Sequence, residues 1–153
     1  MDRTSLFHGS LVTTSRILYT PSAFARTSLI HLQETGFLEA RKPHKSRREN
    51  LASCLFFQVL SGHGTLEYMG ETFPLITGDC AFLDCRRPYS HCTSDELWQL
   101  KWAHFYGPNM NSIYEKYAER GGRPCFHPAD PSPYGRILDE LYETASSEDH
   151  VRD

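Results

Sequence analysis

The sequence predicts a mainly β protein, an antiparallel barrel or sandwich of jelly-roll type followed by two C-terminal α-helices. Between residues 54 and 106, short apolar runs alternate at nearly regular spacing with turn signals such as Gly62-His63-Gly64 and Thr77-Gly78-Asp79. After Gly107-Pro108 the apolar period changes to that of a helix. With 153 residues, the chain is long enough for one hydrophobic core.

The N-terminal part of the chain carries a weaker signal. Residues 1–22 lack periodicity and Pro21 interrupts any helix, so we predict an arm there. Imperfect alternation over residues 24–33 predicts a first strand, residues 34–36 a turn, and residues 37–40 a short second strand.

Residues 41–50, RKPHKSRREN, form the most basic segment. A charge run of this kind is typical of a solvated loop or a phosphate-attracting patch. The alternative is that one of its arginines turns inward at the mouth of the barrel. Composition leaves both interpretations open.

The central strands differ in their patterns. Residues 55–60 are almost wholly apolar, as expected of a strand covered on both faces. Residues 65–68 alternate, and Pro74 in the next run indicates an edge strand or a bulge because proline cannot donate to a sheet ladder. A further strand includes Phe82 and Leu83.

The last predicted strand, residues 97–106, is the most informative. Alternation places on one face Trp98, Leu100, Trp102, His104 and Tyr106. Two tryptophans and a histidine on one face are typical both of a lining that stacks on a ligand and of a well-packed core.

Two amphipathic helices follow. The first carries apolar residues at i, i+3, i+4 and i+7, namely Met110, Ile113, Tyr114 and Tyr117, and ends at Gly121-Gly122. The second begins at Ser132-Pro133 as cap and first turn. Its stripe of Tyr134, Ile137, Leu138, Leu141, Tyr142 and Ala145 predicts a homodimer contact. The sequence ends in polar residues that we expect to lead into a further element.

Composition excludes several functions. Sixteen Lys and Arg against nineteen Asp and Glu give a net charge of −3, without the basic footprint of a nucleic-acid-binding domain. We find no signal peptide and no run long enough to span a membrane. Five cysteines, an odd number with no Cys-x-x-Cys pair, predict a cytoplasmic protein with reduced thiols.

Catalytic motifs are missing from the sequence. Eight histidines include no His-x-His, and although His91 and His104 could converge with Cys92, no spacing requires it. No nucleophile elbow or phosphate-binding glycine loop is present, because Gly62-His63-Gly64 precedes a strand. We therefore predict no catalytic residues, no metal and no cofactor.

One ordered set of motifs resembles the N-terminal effector-binding domain of AraC-family transcription regulators. Over residues 24–145 it consists of Gly62-x-Gly64-Thr-Leu, Gly70, Leu75-x-x-Gly78-Asp79, Arg87-Pro88-x-x-His91 and Trp98-x-x-x-Trp102-x-His104-Phe105. The resemblance implies an N-terminal arm (1–22), a cupin-like effector-binding barrel (23–107) and a helical dimerisation segment (108–153). It also implies a DNA-binding helix-turn-helix domain beyond this sequence.

The same resemblance implies ligand contacts. Arg47 matches an arginine that binds the sugar in arabinose-sensing members, and Trp102 matches a tryptophan that stacks on it. Leu100 and Thr93 stand where that pattern has histidine and tyrosine, which removes two sugar contacts. The candidate ligand-binding residues are Arg47, Trp102, Thr93, His91, His104, Leu100 and Trp98.

Three hypotheses follow. The first is a domain that senses a small molecule, of sugar or sugar-derived type, and dimerises. The second is a metal-dependent cupin enzyme acting on a small sugar-like substrate through His91 and His104. The third is a barrel that only mediates association and whose interior is filled by side chains.

Overall fold

A computed structural model describes residues 11–147 of the chain. The ten strands within this range are β1 Val12–Leu18, β2 His31–Ala40, β3 Lys45–Arg48, β4 Cys54–Ser61, β5 Gly64–Tyr68, β6 Glu71–Leu75, β7 Cys80–Asp84, β8 Tyr89–Thr93, β9 Gln99–Tyr106 and β10 Cys125–Phe126. The three helices are α1 Ala23–Ser28, α2 Met110–Glu119 and α3 Ser132–Ser146.

The strands form two antiparallel sheets. The large sheet has the order β1-β2-β9-β4-β7-β10, and the small sheet has the order β3-β8-β5-β6. The crossovers between sheets are those of a jelly roll, so the predicted fold class is confirmed. The order also places β9, the most informative strand of the sequence, in the interior of the large sheet between β2 and β4.

The core lies between the two sheets. Its most completely buried large side chains include Trp98, Phe57, Leu66, Leu75 and Leu83. Burial of each such side chain stabilises the fold by about 1.5–3 kcal/mol. Strands from both sheets contribute to the core, so neither sheet covers its apolar face without the other.

The predicted N-terminal arm is corrected by the structure over part of its length. Val12–Leu18 forms β1, which pairs antiparallel with β2 along its whole length, from Val12 opposite Ala40 to Leu18 opposite Glu34. The backbone ladder holds this stretch on the sheet although its side chains lack periodicity. Residues 1–10 of the predicted arm lie outside the described residues.

The predicted first strand, residues 24–33, is confirmed only at residues 31–33, which belong to β2, and the predicted turn is wrong. A short helix, α1, occupies part of residues 24–33 and is capped by Ser22, whose hydroxyl accepts a hydrogen bond from Ala25 N at 3.0 Å. Residues 34–36 lie inside β2 instead of turning the chain. Gly36 lets β1 and the Trp102 ring lie close to the backbone of β2, because a Cβ at residue 36 would lie 2.6 Å from Trp102 Cη2 and from Ser15 O.

The basic segment is partly strand. Lys45–Arg48 forms β3, at the edge of the small sheet and paired with β8. The loop predicted over residues 41–50 is therefore wrong for these four residues. Alternation along β3 sends Ser46 and Arg48 to one face and Lys45 and Arg47 to the other.

Both predicted C-terminal helices are present and pack on the outer face of the large sheet. In α2, the Tyr114 hydroxyl donates to Phe82 O at 3.0 Å and the two rings meet edge to face. In α3, Leu138 is 3% exposed and Asp139 forms an ion pair with Lys101 at 2.5 Å. Helix α3 begins at Ser132 with Pro131 at the cap position, one residue earlier than the predicted cap at Ser132.

All five cysteines are free thiols. Between residues 11 and 147, no helix is long and apolar enough to cross a membrane.

Candidate ligand-binding cavity

A cavity of about 60 Å³ lies between the two sheets. Its apolar and aromatic walls are Leu38, Leu55, Phe57, Tyr89, Leu100 and Trp102. Its polar lining consists of Thr14, Arg16, Glu34, Ser46, Arg48, His91 and His104. This mixture of apolar walls and a few convergent polar groups is typical of a small-molecule site. It also counts against the hypothesis of an interior filled by side chains.

A wider vestibule of about 400 Å³ adjoins the cavity. The two spaces share three residues, Glu34, Arg48 and His104. The rest of the vestibule is lined by Leu18, Tyr19, Gln33, Leu51, Ala52 and Ser53. A ligand of several carbons therefore has room to extend outward while its end contacts the inner polar groups.

Strand β9 supplies three adjacent lining residues. Leu100, Trp102 and His104 alternate toward the cavity, as the sequence predicted. On the opposite face of the strand, Ala103 and Phe105 point toward α3. The period of the last strand thus identified this wall correctly.

A buried cluster fixes the indole of Trp102. Glu34 forms an ion pair with Arg16 at 2.8 Å, and their side chains are only 8% and 9% exposed. The Trp102 Nε1–H donates to Glu34 Oε2 at 3.4 Å, and the Thr35 hydroxyl donates to the Trp102 carbonyl at 2.9 Å. Glu34 and Arg16 were missed by the sequence reasoning, which placed one in a turn and the other in an arm.

The arginine on the cavity wall is Arg48, not Arg47. Residue pairing sets Arg47 opposite Ser90 and Arg48 opposite Tyr89, so the two side chains leave opposite faces of β3. Arg47 is exposed and lines an outer cleft with Glu67. The prediction of an arginine at the barrel mouth was correct in kind, but its assignment to Arg47 was off by one residue.

Arg48 itself is partly buried and lines both the cavity and the vestibule. Among residues 11–147, its guanidinium makes no hydrogen bond and no ion pair. Arginine carries five N–H donors in a fixed fork and stays charged at all relevant pH values. The cavity therefore contains an uncompensated cation with free donors.

His91 lines the same cavity from β8. Its Nδ1 is buried and has no hydrogen-bond partner, and its ring packs against Phe57 and Trp98 with centroids 5.9 and 5.8 Å away. Burial first, and then the positive charges of His44 and Arg48, lower the pKa of His91 to about 4. The imidazole is neutral at pH 7 and offers one donor and one acceptor.

His104 is held from two sides. Its Nδ1 lies 2.9 Å from the Ser53 hydroxyl, and its Nε2 lies 3.8 Å from Glu34 Oε2. The side chain is 13% exposed at the boundary between the cavity and the vestibule.

Two further predicted residues lie outside the cavity lining. Trp98 is 1% exposed in the core, where its ring lies against Gly64. The buried Thr93 hydroxyl accepts from Trp98 N at 3.1 Å and donates to Ser94 O at 3.2 Å. Trp98 and Thr93 are packed in the core outside the cavity, so their direct role as cavity walls is not supported.

The cavity residues do not fit a metal ion. Within the described part of the chain, no group of three or more His, Cys, Asp and Glu side chains converges as a ligand set. In the cavity, the Glu34 carboxylate is already paired with Arg16 and the Nδ1 of His104 with Ser53. A cupin metal site needs several free His and carboxylate ligands from adjacent strands.

Comparison with known proteins identifies the fold. No protein-family model matches this chain, and no curated protein matches it. Among solved structures, chains described as cupins match it. The AraC-like transcriptional activator CuxR superposes with a TM-score of 0.54 at 10% identity, over 72% of this chain and 42% of that one.

Two other structural neighbours belong to different functional classes. An HTH_3 family transcriptional regulator from Vibrio cholerae has a TM-score of 0.51 and 14% identity, over 67% of this chain and 58% of that one. A salicylate 1,2-dioxygenase from Pseudaminobacter salicylatoxidans has a TM-score of 0.48 and 21% identity, over 64% of this chain and 27% of that one. This chain thus spans a minor part of the dioxygenase and of CuxR. At these identities the likeness establishes the cupin fold and no activity.

Proposed function

We propose that this chain is the effector-sensing domain of a transcription regulator of AraC type. The observation that carries the proposal is the cavity between the sheets, which combines apolar walls with a free cation and a buried, unpartnered histidine nitrogen. Such a lining suits reversible recognition of a small molecule. The likeness to CuxR and to the Vibrio regulator supports this context at the level of fold.

The proposed effector is a sugar or a sugar derivative. Trp102 offers an aromatic surface on the cavity wall, and Thr14, Ser46 and His91 offer hydrogen bonds to hydroxyl groups. Leu38 and Leu55 cover the apolar side of the same space. Alternating polar and apolar walls match the two kinds of surface that a sugar ring presents.

We propose recognition without catalysis. The Ser53 hydroxyl lies 2.9 Å from His104 Nδ1, but the Glu34 carboxylate near the other ring nitrogen is engaged by Arg16, so no base is oriented to activate a nucleophile. The alternative is the metal-dependent cupin enzyme. Metal analysis of the purified protein distinguishes the two, since stoichiometric iron, manganese or zinc lost in His104→Ala would reject the proposed sensor.

The sensing domain would act through association and through DNA contacts made elsewhere in the protein. We propose a homodimer formed through the C-terminal helices, because Ile137 on α3 is 56% exposed beside an apolar groove lined by Tyr134 and Leu141. An effector that prefers one dimer arrangement shifts its population by the difference in affinity. We place this activity in the cytoplasm, where the DNA is.

A thermal-shift screen tests the effector pocket. Sugars, sugar acids and sugar phosphates are added to the parent protein, to Trp102→Ala and to Arg47→Ala. At a ligand concentration about 100-fold above Kd, we expect a rise in Tm of about 5–11 °C. The rise should be lost in Trp102→Ala and kept in Arg47→Ala, whose side chain lies outside the cavity. Equal shifts in the parent and in Trp102→Ala would place the binding elsewhere and reject the proposed pocket.

A further inference from the structure

The charges that line the cavity do not balance. Two arginines and one carboxylate are among the lining side chains: Arg16, Arg48 and Glu34. Arg16 and Glu34 neutralise each other across 2.8 Å and are both almost completely buried. Among the residues that the structure describes, the positive charge of Arg48 therefore has no opposite charge paired with it.

A partly buried guanidinium without partners is unfavourable. It has lost part of its hydration, and neither a carboxylate nor a carbonyl of the described residues replaces it. The nearby carboxylate of Glu34 is committed to Arg16. An anion that enters the cavity would supply the missing partner, and a carboxylate would match the guanidinium with two parallel hydrogen bonds.

A second, independent feature lies on the wall of the same space. His91 lines the cavity and packs against Phe57 and Trp98, yet its buried Nδ1 has no partner. Buried polar atoms in native proteins are nearly always hydrogen-bonded, so an unpaired nitrogen of this kind indicates a hydrogen-bond partner that a bound molecule would supply.

Strand pairing brings these two features together. Ser46 lies directly opposite His91, and Arg48 lies directly opposite Tyr89. Arg48 and His91 are therefore diagonal neighbours on the cavity face of the small sheet, at a separation that one small ligand can bridge. Arg48 also borders the vestibule, so the ligand can extend from it toward His104.

We propose that the cavity selects a small hydroxylated monocarboxylate, of which a sugar acid is the model, with its carboxylate on Arg48 and a hydroxyl on His91. The inference rests on the proposed effector-sensing function and deepens it by naming the class of ligand. One free positive charge matches one carboxylate. A phosphate ester carries about two negative charges, and its second charge would face the carboxylate of Glu34.

The experiment compares ligands that differ mainly in charge. D-glucuronate and D-galacturonate are titrated against the parent protein by calorimetry, beside D-glucuronamide, D-glucose, D-galactose and D-glucose 6-phosphate. We expect at least one uronate to bind at least about tenfold more tightly than its uncharged counterpart and than the phosphate.

Two neighbouring arginines provide a matched pair of variants. Arg48→Gln should raise the Kd for the uronate by at least about tenfold, while Arg47→Gln, changed on the opposite face of the same strand, should leave it within about twofold. His91→Gln should weaken the uronate and the uncharged sugar alike. Retained melting cooperativity establishes that each variant is folded.

The outcomes distinguish failure of the carboxylate inference from failure of the proposed effector pocket. If an uncharged sugar binds as tightly as its acid, or if Arg48→Gln binds the uronate like the parent, the carboxylate inference is rejected and the effector pocket stands. Tighter binding of the phosphate also rejects it. If none of the charged or uncharged ligands binds, the inference and a sugar-type effector are rejected together.

Discussion

His91 should make the stability of this protein fall in mild acid. The perturbation is acidification from pH 7 to pH 5, applied to the parent and to His91→Gln. Burial and the charges of His44 and Arg48 lower the pKa of His91 in the folded state to about 4, against an ordinary value of 6.5. Below pH 6.5 the unfolded chain therefore binds a proton that the folded chain excludes, so stability is present above that pH and is lost as the pH falls.

The magnitude follows from proton linkage. At pH 7 the folded histidine is neutral and about three quarters of the unfolded histidine is neutral. At pH 5 the unfolded histidine is largely protonated and the folded one is not, which lowers the free energy of unfolding by about 2 kcal/mol relative to pH 7. The loss ends near pH 4, where the folded His91 also accepts a proton.

Urea unfolding followed by tryptophan fluorescence measures the free energy of unfolding at each pH. In the parent, the change in the free energy of unfolding between pH 7 and pH 5 is the sum of the His91 contribution and the contributions of all other titrating groups. In His91→Gln the other contributions remain, so the difference between pH 7 and pH 5 should shrink by about 2 kcal/mol. Arg48→Gln should shrink it in part, because one of the charges that lowers the pKa of His91 is removed. An identical pH dependence in the parent and in His91→Gln would refute the assignment of a buried neutral imidazole.

Three further changes test the packing and the association. Gly36→Ala should lower the free energy of unfolding by about 1–3 kcal/mol, because its Cβ would lie 2.6 Å from an indole carbon and from a backbone carbonyl; an unchanged urea midpoint would contradict the close approach of β1 and β9. Glu34→Gln should cost about 3–5 kcal/mol by leaving Arg16 buried and unpaired, whereas Glu67→Gln, in an ion pair whose side chains are half exposed, should change the free energy of unfolding far less. Equal costs for the two variants would refute the buried pair. Ile137→Glu should convert a dimer to a monomer by light scattering with little change in Tm, since this side chain is 56% exposed within one chain; an unchanged dimer mass would reject the helix contact.

Periodicity predicted the parts of the structure in which one face of an element is buried continuously. Along β9, alternation identified Leu100, Trp102 and His104 as neighbours on the inner face, and the cavity confirms this. The helical period identified α2 and α3, with Leu138 at the centre of the buried stripe. In these elements the side chains alone carry the information, because burial repeats with the geometry of the backbone.

Contacts made by the backbone itself, in contrast, leave no periodic pattern of side chains in the sequence. Gly36 is of a residue type that favours turns, yet it and Glu34 lie inside β2, where neighbouring strands form ladders on both sides. The glycine is needed for the approach of the Trp102 ring and of β1. Tertiary pairing overrides local propensity here, because the backbone hydrogen bonds of two neighbours outweigh a weak preference for turning.

The sequence by itself determined that an antiparallel jelly roll with two helices forms and that a tryptophan of its last strand faces the interior. Only the tertiary structure decided which of two adjacent arginines enters the cavity. Side chains of a strand alternate between faces, so a shift of one residue exchanges the interior for the solvent. The pairing of β3 with β8 fixes that register and places Arg48 beside His91, while Arg47 faces outward.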